Sequence, residues 1–446
     1  MFNRNTPTST TSTSTQTSDA TGGGLSARTD RCLIPVFEPS ERHILVEITA
    51  PTVRRDVRRA SANLAYVLDR SGSMSGWNKL ALAKQAVVEA IGRQDSEDGF
   101  AVVVYDNEVS VTTSATSATP MNRQAAAQQL APVQPRGNTN LSAGWLAGCE
   151  QIAGRMAAEG VNRVLLLTDG LANAGIAAPE DLAHLAADLR TRGITTSTFG
   201  VGADFNERLL QSMADAGGGH FYFIGDVAQM RDHITSEVGE ALDIAVRGAV
   251  LEVIVPGGVV VDTLSPYRIE RVGSRVLVHL GDLVSGQTIS LVLRLRFSAG
   301  QIGHVLDAEV RLADQDGVFA AASPSITPAT LTWTYADAGA VTVQPREIEV
   351  DRAVARVQVG QVREHAIELN RAARYEQARE AVYAVRAEVA DFAGSDLELR
   401  EMVTALAMEA SEMAAPMPEM ERKARHFASS SAMRSRTADG KAVTRD

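Results

Sequence analysis

The sequence predicts an α/β protein: a doubly wound, mostly parallel sheet, then a β-sandwich-like region and a C-terminal helical region. Three observations lead there. From Ala62 to about Leu242, short buried-strand runs alternate with helical patterns, as a mostly parallel sheet covered on both faces requires. From Val246 to Trp333-Thr334-Tyr335, strands with turn signals recur. From Glu347 the apolar spacing is again helical. The expected division is a Ser/Thr-rich disordered tail (1–28), a strand segment and linker (29–60), the α/β domain (61–244), the β-sandwich-like domain (245–345), a helical region (346–425) and a disordered tail (426–446).

His43-Ile44-Leu45-Val46-Glu47-Ile48 alternates, a strand with Ile44, Val46 and Ile48 inward. It precedes the α/β region but can pair with the later β sheet, which would make the α/β domain an insertion between its strands. Arg54 to Arg59 reads as a solvated connector. Leu64 to Leu68, Phe100 to Tyr105, Val164 to Leu167, Ile194 to Phe199 and His220 to Tyr222 are strands, with Val109 to Val111 a short edge partner. Helices start near Trp77, Glu180, Asn206 and Asp226, and another runs from Leu141 to Met156. In the β region, Ile289, Leu291, Leu293, Leu295 and Phe297 face one way. Near the end, Ala378, Val382, Val385, Val389 and Phe392 form one helical stripe, read as packing within the chain with a partner-binding helix as the alternative, and a second helix spans Leu397 to Met413.

The chemistry lies where strands end. Asp69-Arg70-Ser71-Gly72-Ser73 follows the Leu64–Leu68 strand, and in open α/β sheets that edge is where ligands bind. If the loop stays extended, Asp69, Ser71 and Ser73 point the same way. Gly137-Asn138-Thr139-Asn140-Leu141 opens a helix and adds the hydroxyl of Thr139. Val164 to Thr168 ends in Asp169-Gly170. Two carboxylates with neutral hydroxyls make a hard, oxygen-only donor set suited to Mg²⁺, Mn²⁺ or Ca²⁺.

These three motifs resemble the von Willebrand factor type A (VWA) family, whose metal-ion-dependent adhesion site combines DxSxS, a Thr and an Asp. Asp69, Ser71, Ser73, Thr139 and Asp169 fill all five positions in family order. The resemblance covers Ala62 to Leu242, about two-fifths of the chain. The wording DRSGSM, GNTNL and LLTDG is most similar to the bacterial branch labelled calcium-activated chloride channel homologues. The resemblance implies a non-enzymatic docking module in which the cation bridges to a partner's carboxylate. It also implies a last VWA helix that shifts with metal coordination, and partners such as AAA+ ATPases or Ser/Thr kinase systems. The alternative is an enzyme using the same Mg²⁺ for phosphoryl transfer or hydrolysis. A docking module is favoured because neither Arg70 nor Asn138, the nearest further polar side chains in sequence, is a good base.

Other chemistries lack their signatures. A phosphoryl-accepting aspartate of the haloacid-dehalogenase type needs a second Asp two residues on, where Ser71 stands. Phe205 stands where a dinucleotide fingerprint after Gly200-Val201-Gly202 requires Gly, and the sequence has no P-loop and no HExxH. The net charge of −11, with no Lys/Arg stripe, argues against nucleic acid as a general partner. Lys occurs only at positions 79, 84, 423 and 441, read as genome composition. Cys32 and Cys149 form no disulfide framework, and Cys149 reads as a core residue. No apolar run reaches the roughly 18 residues of a membrane span, and the N-terminus has no apolar signal core, so the expected location is cytoplasmic, without a channel function.

Overall fold

A computed structural model describes residues 22–52, 59–156, 160–322 and 326–445. The chain starts in the β region with β1 (Gly24–Thr29), β2 (Leu33–Pro35) and β3 (Ser40–Thr49). It then runs through the α/β region: β4 (Ala62–Asp69), α1 (Lys79–Gly92), β5 (Gly99–Tyr105), β6 (Val109–Ser117), α2 (Pro120–Leu130), α3 (Leu141–Ala153), β7 (Val161–Thr168), α4 (Pro179–Thr191), β8 (Thr195–Val201), α5 (Glu207–Gly217), β9 (Gly218–Ile224) and α6 (Met230–Leu242). These strands form one sheet in the order β6-β5-β4-β7-β8-β9, parallel except for β6. Strands β4 and β5 are buried at every residue, as central strands covered on both faces must be.

The α/β region is inserted into a sandwich. After α6 come β10 (Ile244–Ile254), β11 (Val260–Thr263), β12 (Arg268–Val272), β13 (Arg275–Val284), β14 (Thr288–Phe297), β15 (Val305–Ala313), the short helix α7 (Val318–Ala321), β16 (Ala329–Ala336) and the short helix α8 (Ala338–Val343). One sheet is ordered β1-β3-β14-β11 and the other β12-β13-β10-β15-β16-β2. Strand β3, which precedes the insertion, pairs antiparallel with β14, which follows it, in the register Ile44↔Leu293 and Ile48↔Ile289. Their inward residues, Ile44, Val46, Ile48, Ile289, Leu291, Leu293, Leu295 and Phe297, share the sandwich core. On the outer face Leu45 and Val292 pack under Val350, Val354 and Val357 of α9 (Ile348–Arg371). Helices α10 (Tyr375–Ala393), α11 (Leu397–Met413) and α12 (Glu419–Met433) complete the C-terminal helical region. Ala378 and Val382 of the α10 stripe pack with Leu406 and Met413 of α11.

Three expectations need correction. Residues 24–28, expected in a disordered tail, lie in β1, because β3 supplies an antiparallel partner for a segment whose own side chains are only partly buried. Residues 1–21 and the Arg54–Arg58 part of the connector lie outside the described residues. The tail from 426, expected disordered, is structured through Arg445. Phe427 joins the α/β core, Arg436 pairs with Glu240 on α6, and Thr444 bridges Gln287. The helix expected to reach Met156 ends at Ala153, where Gly154 caps it. Cys149 is buried, which pushes its thiol up to about 12 and makes it an inert core group. Among the described residues no helix is long and apolar enough to cross a membrane.

Candidate metal centre

The sheet order sets the site. Strand β4 has β5 on one side and β7 on the other, so the loops after β4 and β7 flank a crevice at the carboxyl edge. Helix α3 closes it. A β-carbon at Gly144 would stand 2.3 Å from the Tyr105 ring, and one at Gly148 2.4 Å from Val67. Glycine at these two positions, one helical turn apart, lets α3 lie close on β4 and β5. That approach carries its N-terminus to the crevice, where Asn140 caps the helix by accepting from Ala143 N–H.

Backbone hydrogen bonds fasten the loops. Arg70 N–H donates to Tyr105 O (2.8 Å), Arg136 N–H to Arg70 O (2.7 Å), Gly72 N–H to Gly137 O (3.1 Å) and Asn173 N–H to Thr139 O (3.1 Å). Asp69, Asp169, Ser71 and Thr139 are buried, and Ser73 is exposed at the mouth. The Ser71 and Ser73 hydroxyls are 3.0 Å apart, and Ser73 Oγ donates to Asp169 Oδ1 at 2.6 Å. A β-carbon at Gly170 would stand 3.2 Å from Thr139 Oγ1 and 3.7 Å from Ser73 Oγ, so the third loop reaches the same spot. The five positions singled out by sequence therefore stand together.

The electrostatics of the two carboxylates differ. Asp69 accepts only neutral donors, Ser71 N–H at 2.7 Å and Thr168 Oγ1 at 2.7 Å. Burial pushes its carboxyl up to about 6, against the lowering effect of those hydrogen bonds, and the Asp169 charge adds to the rise. Asp169 has a cation: Lys79 Nζ lies 2.5 Å from its Oδ2, largely buried. The buried Tyr105 hydroxyl, within electrostatic range of both carboxylates, has no hydrogen-bond partner among the described residues. An uncompensated buried carboxylate beside hydroxyl oxygens fits a hard divalent cation. Asp69, Ser71, Ser73, Thr139 and Asp169 are the groups that could hold it.

Sequence reading passed over Lys79, Thr168 and Asp106. Lys79 carried a signal: it is one of four lysines in a chain that otherwise uses Arg, six residues after the DxSxS motif. Asp106 has no motif, yet it draws Arg70 (2.9 Å) and Arg136 (2.8 Å) away from the crevice. A second candidate metal-coordinating group lies at the far side of the sheet, where His220, Glu237 and Glu240 bring ligand atoms within 4.8 Å of one another. Its carboxylates already hold guanidiniums, Arg163 on Glu237 (2.7 Å) and Arg436 on Glu240 (2.6 Å). His220 was read as a packed strand residue; it is half-buried and hydrogen-bonded to Glu237 and Arg436.

A parallel sheet with oxygen donors gathered at its central crossover defines a class of α/β domain, and residues 63–236 match the family model for the von Willebrand factor type A domain. The chain thus contains a VWA domain. Among curated relatives, the "Uncharacterized protein YfbK" of Escherichia coli is 28% identical over 190 residues, 42% of this chain and 33% of that protein. The "Uncharacterized protein sll0103" of Synechocystis is 26% identical over 271 residues, 57% of this chain and 62% of that protein. Human inter-alpha-trypsin inhibitor heavy chain H3 is 29% identical over 158 residues, 34% of this chain and 18% of that protein. The chain thus spans less than two thirds of each of these relatives. Among solved structures, a von Willebrand factor type A protein from Catenulispora acidiphila aligns over 95% of this chain and 98% of its own, with a TM-score of 0.68 at 18% identity. The ArnB paralog VWA2 from Sulfolobus acidocaldarius aligns over 95% and 100%, with a TM-score of 0.60 at 14% identity. These two share the fold, including the regions outside the VWA domain.

Proposed function

We propose that the VWA domain is a metal-dependent docking site of the metal-ion-dependent adhesion type. In this reading Mg²⁺, with Mn²⁺ or Ca²⁺ as substitutes, is held by Asp69, Ser71, Ser73, Thr139 and Asp169. The ion would supply an electrophilic position to be completed by a carboxylate from a partner protein. The observation that carries the reading is Asp69, fully buried yet bound only by neutral donors. Lys79 adds a reason for an acidic partner: two carboxylates, one ammonium and one divalent ion sum to a positive site, which an incoming carboxylate would balance. Apolar side chains stand in the same loops. Trp77, two residues before Lys79, is 86% exposed, and Leu171, two after Asp169, is 50% exposed. Exposed tryptophan is the type of residue that anchors protein interfaces.

Docking is preferred to catalysis because the polar groups next to the carboxylates are engaged. Arg70 is held by Asp106 and Lys79 by Asp169, and neither is a general base in that state. The bacterial branch wording makes AAA+ ATPases and Ser/Thr kinase systems the first partners to test. The test is a pull-down with the full chain in Mg²⁺ and in chelator, wild type against Asp69→Ala. Capture lost with the chelator and with the variant supports docking through the ion. Capture that survives both would end the proposal.

A further inference from the structure

We propose a second ligand site, for a small phosphate-type oxyanion, in the cleft where the VWA domain, the sandwich and the C-terminal segment meet. A cavity of about 80 Å³ lies there, lined by Arg190 at the end of α4, Tyr267 and Arg268 at the start of β12, Gly281 of β13, and Arg434 beyond α12. Drug-sized pockets run to about 300–1,000 Å³, so this one suits a single small ion.

The charge pattern identifies the ligand class. Arg434 is bound to Asp215 (2.5 Å) and Arg436 to Glu240 (2.6 Å). The cavity's other carboxylate, Asp282, accepts Gly248 N–H at 3.0 Å and lies 3.6 Å from Arg163. Arg190 differs from its neighbours: among the described residues no carboxylate comes within ion-pair distance of its guanidinium and no hydrogen bond engages it. Its side chain lies against backbone, where a β-carbon at Gly218 would stand 2.7 Å from Nε, and one at Gly281 3.7 Å from an Nη. Both glycines have positive φ, 71° and 90°. The half-buried Tyr267 hydroxyl also has no hydrogen-bond partner among the described residues.

Two donors without a hydrogen-bond partner among the described residues, one a guanidinium with a planar fork, thus line one small cavity; Asp215 is held by Arg434, and Asp282, 3.6 Å from Arg163, faces Arg190 only from beyond ion-pair distance. Desolvation depresses the Arg190 pKa, and Asp282, acting from beyond ion-pair distance, offsets only part of that cost while Arg268 adds to it. A phosphate group meets that demand with parallel N–H···O bonds from Arg190 and an O–H···O bond from Tyr267. Arg268, exposed at the mouth and only 3.9 Å from Glu270, adds attraction. The bound anion would tie three parts of the chain together, so binding should raise thermal stability.

The test uses the full chain without divalent ions, which separates it from the docking proposal. Inorganic phosphate is titrated calorimetrically and in thermal unfolding, against sodium chloride at equal ionic strength. Saturable binding with a rise in Tm beyond that of chloride is expected. Arg190→Gln should weaken phosphate binding at least tenfold, and Tyr267→Phe, which keeps the ring, should weaken it a fewfold. Glycerol phosphate as a second probe distinguishes a phosphomonoester (tighter than phosphate) from the free ion (equal or weaker). A phosphate effect no larger than chloride's, or one retained in full by both variants, would overturn the proposal.

Discussion

Two carboxylate clusters in the VWA domain answer the same physical problem in opposite ways. At the sheet's carboxyl edge, Asp69 is buried with neutral donors only, and burial decides its titration, pushing the carboxyl up to about 6. On α6, burial alone would also raise Glu237, yet His220 and Arg163 hold it well below the usual carboxylate range. Glu237 further accepts from Ser197 (2.5 Å) and Tyr222 (2.7 Å). One cluster is closed by its own chain and the other is left short of positive charge. Proximity of acidic groups therefore does not by itself mark a metal site; the test is whether the protein has already supplied the counter-charge. The closed cluster has a mechanical consequence, since Glu237 and Glu240 both lie on α6, the last VWA helix. Any shift of that helix with metal coordination would have to carry or break their bonds to Arg163 and Arg436.

The comparison is broken most directly by removing one carboxylate from each cluster. Glu237→Ala takes the short carboxylate partner from buried Arg163, leaves it only Asp282 at 3.6 Å, and should cost about 3–5 kcal/mol in chemical denaturation. Asp69→Ala should cost less, about 1–2 kcal/mol, because the loss of two acceptor contacts to Ser71 N–H and Thr168 O–H is offset by removing a buried charge that has no cation partner. The same variant should lose divalent binding by at least about 100-fold in Mn²⁺ titration, since outer groups alone are worth about 10–100-fold at metal sites. If Asp69→Ala proves as destabilising as Glu237→Ala, the two clusters are alike and the distinction fails. Lys79→Met sharpens the comparison further. Removing the ammonium beside Asp169 should tighten Mn²⁺ about tenfold, roughly 1.4 kcal/mol, by relieving cation–cation repulsion. Unchanged or weaker Mn²⁺ binding would mean that Lys79 lies clear of the ion.

The parts legible in sequence are those whose cause is local. The apolar runs before Asp69 and Asp169, and the alternation of Ile289 to Phe297, are set by burial within a few residues of each position. The grouping of Asp69, Ser71, Ser73, Thr139 and Asp169 at one crevice was legible because each lies just after a recognisable strand or at the start of a helix. The C-terminal tail was not. Its polar composition reads as disorder, but Glu240 anchors both Arg436 (2.6 Å) and the Ala442 N–H (2.9 Å), from some two hundred residues away. Strand β1 was missed for the same reason, since its structure comes from its register with β3. Lys79 was in plain view, but nothing in the sequence says that its side chain turns back to Asp169. Arg190 has no sequence signal at all, because what distinguishes it is a partner that other arginines have and it lacks.

The smallest effects test how the open cluster divides its work. Ser71 and Thr139 are neutral and buried, and Ser73 is exposed and bonded to Asp169. Removing one neutral oxygen donor costs on the scale of a single hydrogen bond, about 1 kcal/mol, so Ser71→Ala and Thr139→Ala should each weaken Mn²⁺ binding about fivefold. Each should leave the fold intact, because the loops are fastened by backbone hydrogen bonds that neither change touches. The ordering is the decisive readout. A carboxylate-driven site requires Asp69→Ala to exceed either hydroxyl variant by an order of magnitude, since only Asp69 brings negative charge that no cation of the chain offsets. Equal losses for Asp69→Ala and Thr139→Ala would show that geometry, and not uncompensated charge, governs binding, and the contrast between the two clusters would lose its meaning for the ion.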